Sequence, residues 1–441
     1  MKKDNESISM EKSISIKDAM NKGKGSVIIR GWVHRERGSN KLKFVILRDS
    51  TEKIQCVIER SKVGDDLFNI ADKLQMEFSL LVKGEIKEDE RAPTGYEINV
   101  DDFAVVGESD NFPIGKDFSE EYLLDVRHLW LRSTKMTAIM KIRSTIFGAI
   151  HDYFRKQDFY EHQSPIFMSS QAEGGSTLFS VDYFKNELYL AQTWQLHAEA
   201  MIFSLENIYC IAPSFRAEKS KTSRHLTEYW HAEMEMSWCN FDDVKNHGEN
   251  LIKHVVSQVL DKNSKELKEL KRDISKLEPT VNKPFVRITY DEALEILKTK
   301  CNMKVPWGKD LRTVEEEKLT ELYDVPIIVS NYPKKVKAFY MREVDNNSDL
   351  VEGCDFLAPE KNGEIIGGSQ REHDIEKIKQ RLLAEGEDLE KYGFYLDTRK
   401  YGSIPHGGFG LGVERLVKWI CGLDNIKDAI AFPRTMQRYY P

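Results

Sequence analysis

The stretch from Pro213 to Glu235, PSFRAEKSKTSRHLTEYWHAEME, carries the densest chemistry in the chain. Arg216 and Glu218 stand two residues apart. A polar loop from Lys219 to Arg224 follows, then His225 and Tyr229, then Glu233 and Glu235, again two apart. Apolar residues lead in through Tyr209, Cys210 and Ile211, and a second apolar-rich run spans Leu226 to Trp238, so the stretch predicts two antiparallel strands joined by a charged loop. Strand alternation gives Arg216 and Glu218 one face, and Glu233 and Glu235 one face. Burying an Arg and several carboxylates on such strands is costly unless something charged binds there. A structural ion-pair network is the blander account of the same residues.

A second constellation lies near the C-terminus. In GGFGLGVERLVKWICGL (407–423), Gly407, Gly408, Gly410 and Gly412 precede Arg415, which opens a helix. Glycines there let backbone approach a flat or anionic ligand, and an Arg beside them suits a nucleotide. The spacing does not fit a dinucleotide fingerprint, and no βαβ unit surrounds it.

The elements that must position these residues read as follows. With 441 residues the chain is long enough for two or three domains. Residues 1–25 are polar with a short amphipathic piece, Ile14 to Met20, and read as a tail or a covering helix. From Val27 five strand-like segments with short turns predict a small closed barrel of oligonucleotide-binding type over 26–107. Residues 108–133 read as a hinge, and 134–441 as a larger domain. Thr134 to Gln157 has the spacing of a long amphipathic helix (Met140, Ile142, Ile146, Ile150, Tyr153). Residues 242–275 are mostly helical, and 326–330, 337–341 and 364–368 read as strands. Residues 375–385 form an exposed helix, and 404–423 a Gly-rich strand-turn followed by a helix. Without a βαβ rhythm, the large domain is expected to be α+β with an antiparallel sheet.

Composition narrows the function classes. No signal pattern or long uncharged apolar run occurs, so neither secretion nor a membrane span is expected. The six Cys are dispersed without a CxxC pair, which fits reduced thiols in the cytoplasm. The net charge is −7, so nucleic acid would have to be bound by local basic patches. One exists: Val27 to Arg60 holds eight Lys/Arg against four acids, a local +4. Phe44 lies among these basics and Gln55 on the next strand, a stacking aromatic beside hydrogen-bonding groups. Barrel core is the alternative place for Phe44.

FRAE with TSRHLTEY (215–229) resembles motif 2 of the class II aminoacyl-tRNA synthetases, and GFGLGVERL (408–416) resembles their motif 3. The long helix ending at FYEHQSPIF (159–167), with Pro165, resembles motif 1, the dimer interface. The barrel places the chain with the Asp/Asn/Lys branch. Within it KAFYM (337–341), EIIGGSQRE (364–372), YLDTRKYGSIPHGGFGLGVER (395–415) and FPRTMQRYYP at the C-terminus are most similar to asparaginyl-tRNA synthetases of the archaeal and eukaryotic kind.

The resemblance implies a homodimeric ligase that activates L-asparagine with ATP and Mg²⁺, then charges tRNA(Asn). It implies that Arg216 holds the α-phosphate and that Arg415 and Tyr229 sandwich the adenine. Glu218 and His225 would contact adenine and phosphates, and Glu364 would ligate Mg²⁺. Aspartyl relatives often carry Ser three residues after that Glu, where Gly367 stands here. Glu173, Gln195 and Glu233 would surround the α-ammonium, Arg371 would meet the substrate side chain, and Phe44 and Gln55 would read the central anticodon base. Aspartyl enzymes usually place a Lys where this chain has Ala198, followed by Glu199. One cation instead of two favours a neutral amide over a carboxylate. The competing readings are an aspartyl-tRNA synthetase, possibly one that charges two tRNAs, a paralogue that makes free asparagine, and a non-enzymatic regulatory relative.

Overall fold

The computed structural model describes residues 8, 10–115, 117–172, 177–219 and 224–441. Glu173 lies outside the described residues. The chain divides into two units, 1–123 and 124–441.

The first unit is a closed barrel of β1 (Gly25–Gly38), β2 (Leu42–Arg48), β3 (Lys53–Glu59), β4 (Ser79–Glu88) and β5 (Tyr96–Gly107), ordered β1-β2-β3-β5-β4. Strands β3 and β5 run parallel; the neighbouring hairpins are antiparallel. Alternation supplies the core: Val27, Ile29 and Val33 from β1, Val45 and Leu47 from β2, Ile54, Cys56 and Ile58 from β3. Helix α1 (Ile16–Lys22), capped by the Ser15 side chain, covers the barrel with Ile16 and Ala19. Helix α2 (Asp65–Ala71) adds Phe68 and Ala71. Phe44 is not in this core. It lies on the outward face of β2, beside Arg37 on β1 and Val57 on β3, and the Arg37 guanidinium sits 5.4 Å from its ring centre.

Besides a small three-stranded sheet (Phe167–Met168, Ser180–Tyr183, Asn186–Leu190), the second unit is built on one large sheet. Its strands are β6 (Tyr160–Glu161), β7 (Asn207–Phe215), β8 (Glu228–Ser237), β9 (Val286–Thr289), β10 (Ile327–Pro333), β11 (Asn347–Ala358), β12 (Gly363–Gln370) and β13 (His406–Gly412). The order is β9-β10-β11-β12-β13-β8-β7-β6. The central pairings are antiparallel; the two outer ones, β6–β7 and β9–β10, are parallel. This is the expected α+β architecture.

Helix α3 (Thr134–Lys156) starts at Ser133, whose side chain accepts from Met136 N. Its apolar residues recur every three or four positions, so Ile139, Ile142, Ile146, Ile150 and Phe154 form one stripe. That stripe meets Ala232 and Met234 of β8 and Phe409 and Leu411 of β13 in the main core. Phe154 stacks on Tyr209 at 4.8 Å between ring centres. Each such burial contributes about 1.5–3 kcal/mol, and together they fix the sheet against the helix. Helix α5 (Phe241–Lys262), with a capping box at Asn240 and Asp243, joins the same core.

The structure departs from expectation at 337–341. This run is not a strand: a short 3-10 turn at Lys334–Val336 leads into irregular backbone with a lone bridge between Met341 and Arg371. Its apolar residues serve a separate cluster instead, where Phe339 and Tyr340 pack with Tyr392 and Tyr395. Residues 276–325, for which the sequence suggested no element, supply β9 and three helices, Glu278–Asn282, Tyr290–Lys300 and Thr313–Thr320.

Candidate active site

Strands β7 and β8 pair in continuous register from Asn207↔Met236 to Phe215↔Glu228. Strand β7 ends at Phe215, so Arg216 and Glu218 follow the strand rather than lie on it. The Arg216 amide donates to Thr227 O at 2.9 Å, which anchors the start of the loop. Both side chains border a cleft of about 540 Å³, part of it open to solvent, together with His225, Tyr229, Glu364 and Arg415. The Arg216 guanidinium lies 5.7 Å from the Tyr229 ring centre, and His225 Nε2 is 3.5 Å from Glu218 Oε2. Burial and then the Arg415 charge lower the His225 pKa, which favours the neutral imidazole.

Arg415 opens helix α6 (Val413–Cys421) directly after β13. Its Nη1 donates to Glu364 O and to Glu364 Oε2, both at 3.0 Å. Burial works against the Glu364 charge, but Arg415 and then Lys337 outweigh it and hold its pKa down at about 2. Glu364 is therefore ionised at neutral pH.

The glycines of β13 have a reason that the sequence alone did not show. A Cβ on Gly408 would lie 2.2 Å from Glu235 Oε2 and 2.2 Å from Met234 O; one on Gly410 would lie 2.4 Å from His231 Nε2. Two of the four glycines make room for the polar side chains of β8, and Gly410 and Gly412 also line the cleft.

A second, larger cleft of about 1140 Å³, part of it open to solvent, adjoins the first. Arg216, His231, Glu364 and Gly410 line both, so the two form one continuous site with Arg216 at the junction. The second cavity is walled by Gln195 at the start of helix α4 (Gln195–Leu205), by Glu233 and Glu235 of β8, and by Arg371 just past β12. Glu233 accepts from the Thr193 hydroxyl and from Trp194 N. Burial pushes its carboxyl up to about 7, against the pull of those hydrogen bonds. Arg371 is held bidentately by Glu235, Nε to Oε1 and Nη2 to Oε2 at 2.8 Å each, while its Nη1 donates to Ser369 Oγ at 2.6 Å.

The structure thus brings together Arg216, Glu218, His225, Tyr229, Glu364 and Arg415 in one cleft, and Gln195, Glu233 and Arg371 in the adjoining one. Phe44 and Gln55 lie in the other unit, on the outward face of the barrel, with Gln55 Nε2 donating to Glu97 Oε2 at 3.1 Å.

Sequence reasoning missed Asp355 and Lys337. Asp355 on β11 sits directly across from Gly367 on β12. A Cβ on Gly367 would lie 3.2 Å from Glu364 Oε1 and 3.8 Å from Asp355 Oδ1, so the two carboxylates flank one spot beside the missing side chain. Lys337 Nζ donates to Asp355 Oδ2 at 2.7 Å. Burial pushes Asp355 up to about 7, against the Lys337 charge. Acids within the apolar run VEGCDFLA (351–358), Glu352 and Asp355, were the available signal. The Glu364–Asp355 pair offers the oxygen donors that Mg²⁺ prefers, so the residues fit that ion, with Asp355 supplying the second carboxylate that Gly367 cannot.

Residues 119–436 match the tRNA synthetases class II (D, K and N), and residues 27–106 match the OB-fold nucleic acid binding domain. The chain belongs to the class II tRNA synthetase family of the Asp, Lys and Asn branch. It is 48% identical to an asparagine–tRNA ligase of Thermoplasma acidophilum over 94% of this chain and 96% of that protein. Its structure is similar to that of asparaginyl-tRNA synthetase from Pyrococcus horikoshii complexed with asparaginyl-adenylate, with TM-score 0.95 and 44% identity over 98% of this chain and 100% of that one. The Entamoeba histolytica asparaginyl-tRNA synthetase in complex with asparaginyl-adenylate matches with TM-score 0.88 and 33% identity, over 97% and 99%.

Proposed function

We infer that the chain activates L-asparagine with ATP and transfers the asparaginyl group to the 3′ end of tRNA(Asn). In the first step an oxygen of the asparagine carboxylate attacks the α-phosphorus, the bond to the β-phosphate breaks, and pyrophosphate leaves. In the second, a 3′-terminal ribose hydroxyl attacks the carbonyl of the adenylate and AMP leaves. No covalent enzyme intermediate is needed; positioning and charge stabilisation carry the reaction.

The residues take the following parts. Arg216, at the junction of the two cavities, stabilises charge on the α-phosphate. Arg415 and Tyr229 hold the adenine between a guanidinium plane and an aromatic ring, with Glu218 and His225 at its edge and at the phosphates. Glu364 with Asp355 would hold Mg²⁺, which draws charge from the phosphates. Gln195 and Glu233 accept from the α-ammonium, and we propose that Glu173 completes that set. Arg371 meets the side-chain amide. On the barrel, Phe44 stacks an anticodon base beside Gln55. We place the enzyme in the cytoplasm, in line with six free cysteines and with no described helix long and apolar enough to cross a membrane. We propose a homodimer, supported by exposed apolar side chains around the Pro165 run: Tyr160, Ile166 and Phe167.

The observation that carries the choice of asparagine is the Arg371–Glu235 pair. An amide brings both an acceptor and a donor, which suits a guanidinium already balanced by a carboxylate; an aspartate carboxylate would bring an unbalanced charge. The Lys of aspartyl enzymes has no equivalent at Ala198, which is fully buried in an apolar cluster with Trp194, Ile202, Ile208 and Cys210. The test is ATP–pyrophosphate exchange with asparagine, aspartate and lysine in turn. Exchange with asparagine alone is expected; exchange with aspartate instead would overturn the specificity.

A further inference from the structure

One layer behind the amino-acid cavity lies a fully buried polar cluster that the reaction above does not use. Its centre is Glu199, one turn beyond Gln195 on α4 and without solvent exposure. Glu199 Oε1 accepts from Gln195 Nε2 at 2.8 Å. Glu199 Oε2 accepts from the Tyr395 hydroxyl at 2.9 Å and from Arg399 Nη2. His406 Nε2 lies 3.0 Å from the same oxygen, and its Nδ1 meets Ile404 O at 2.8 Å. Arg371 Nε is 3.9 Å from Glu199 Oε1. Glu199, Glu235 and His406 come close enough together for a metal, but Arg399 and Arg371 already engage the two carboxylates.

Two consequences follow from this geometry. A carboxylate only accepts, so Glu199 must take the NH₂ end of the Gln195 amide. The Gln195 carbonyl oxygen is then the end left for the cavity, the correct polarity for an ammonium. Beneath the cavity, the guanidiniums of Arg371 and Arg399 stand against the carboxylates of Glu235 and Glu199. With the His406 imidazole neutral, its Nε2 3.2 Å from Arg399 Nη2, these two pairs balance and the wall that meets the substrate side chain lacks the spare cation that a buried carboxylate would need.

We propose that Glu199 is a positioning and specificity residue: through Gln195 it orients the amino-acid site, and through its charge it keeps the site selective for a neutral amide over a carboxylate. This rests on the reading that asparagine is the substrate. Glu199 touches no substrate; it acts through Gln195 and Arg371.

The test is ATP–pyrophosphate exchange on the full chain, with asparagine and with aspartate, in three variants. Glu199→Gln removes one negative charge. It is expected to raise KM for asparagine roughly tenfold and to raise the aspartate-to-asparagine ratio of kcat/KM by roughly tenfold or more. Arg399→Gln removes a positive charge and is expected not to raise the ratio. The double variant restores the balance and should bring the ratio back to within about threefold of the unaltered chain. A purely structural role would depress both substrates together, and an unchanged ratio in Glu199→Gln would overturn the proposal. Should thermal unfolding show that this variant does not fold, Glu199→Asp is read instead. Its charge is kept and its reach shortened, so a higher KM for asparagine with an unchanged ratio supports the proposal, and an unchanged KM overturns it. The unaltered chain run alongside separates the two failures. If it used aspartate rather than asparagine, the substrate reading itself would fall, and the proposal with it.

Discussion

Glu364 and Glu233 are two site carboxylates shifted in opposite directions, Glu364 down by neighbouring cations and Glu233 up by burial. Arg415 and Lys337 keep Glu364 ionised down to about pH 2. Replacing it by Gln leaves Arg415 without its carboxylate partner, though not its bond to Glu364 O, and removes the carboxylate proposed for Mg²⁺. A loss of roughly 10²-fold or more in pyrophosphate exchange is expected, carried by kcat. For Glu233 the hydrogen bonds from Thr193 and Trp194 and the charges of Arg216 and Arg371 do not offset burial, which pushes it up to about 7. Its ionised form is the one that binds an ammonium, so activity follows deprotonation. KM for asparagine should rise as the pH falls through about 7, approaching tenfold per pH unit below it. Glu233→Gln should abolish that limb while lowering affinity at every pH. A KM that stays flat between pH 8 and 6 in the unaltered chain would contradict this assignment.

At the scale of elements, β13 shows how a strand is shaped by its neighbour. Its glycines read in the sequence as room for a ligand; two of them are room for Glu235 and His231 instead. Gly408→Ala would push a methyl group against the Met234 carbonyl and the Glu235 carboxylate, so a loss of about 1–3 kcal/mol is expected from overpacking. Thermal unfolding measures it. Displacing Glu235 should also loosen Arg371, so KM for asparagine is expected to rise in the same variant while KM for ATP changes less. The hairpin of β7 and β8 was legible from its apolar flanks and charged loop, and α3 from its three-and-four spacing. The run 337–341 was not, because its apolar residues fill a cluster with Tyr392 and Tyr395 rather than a ladder, and burial alone does not distinguish the two.

At the scale of the whole molecule, the residues proposed for chemistry and those proposed for the anticodon fall in separate units. Phe44→Ala should therefore leave asparagine-dependent exchange intact and raise KM for tRNA roughly fivefold or more, since stacking on one base is worth about 1–3 kcal/mol. Aminoacylation kinetics with tRNA(Asn) transcripts measure it. Equal tRNA kinetics in the variant and the unaltered chain would remove Phe44 from the interface. Because the contacts with phosphates depend on the local basic stretch of the barrel, KM for tRNA should also rise steeply with salt.

What the sequence determined by itself was the order and type of the main elements and the residues that line the first cleft. Those follow from local periodicity and from motifs whose members lie within about twenty residues of each other. Arg216, Glu218, His225 and Tyr229 fall on one hairpin, and Arg415 follows its glycine strand directly, so spacing along the chain predicts proximity in space. The tertiary structure alone decided the pairings made across strands and through the core. Asp355 meets Glu364 only because β11 and β12 pair in one register. Glu199 meets Arg399 and His406 only because α4 packs against segments some two hundred residues further along. A charge in an apolar run tells that a partner is needed, since burial without one is too costly; which partner it finds is set by the fold.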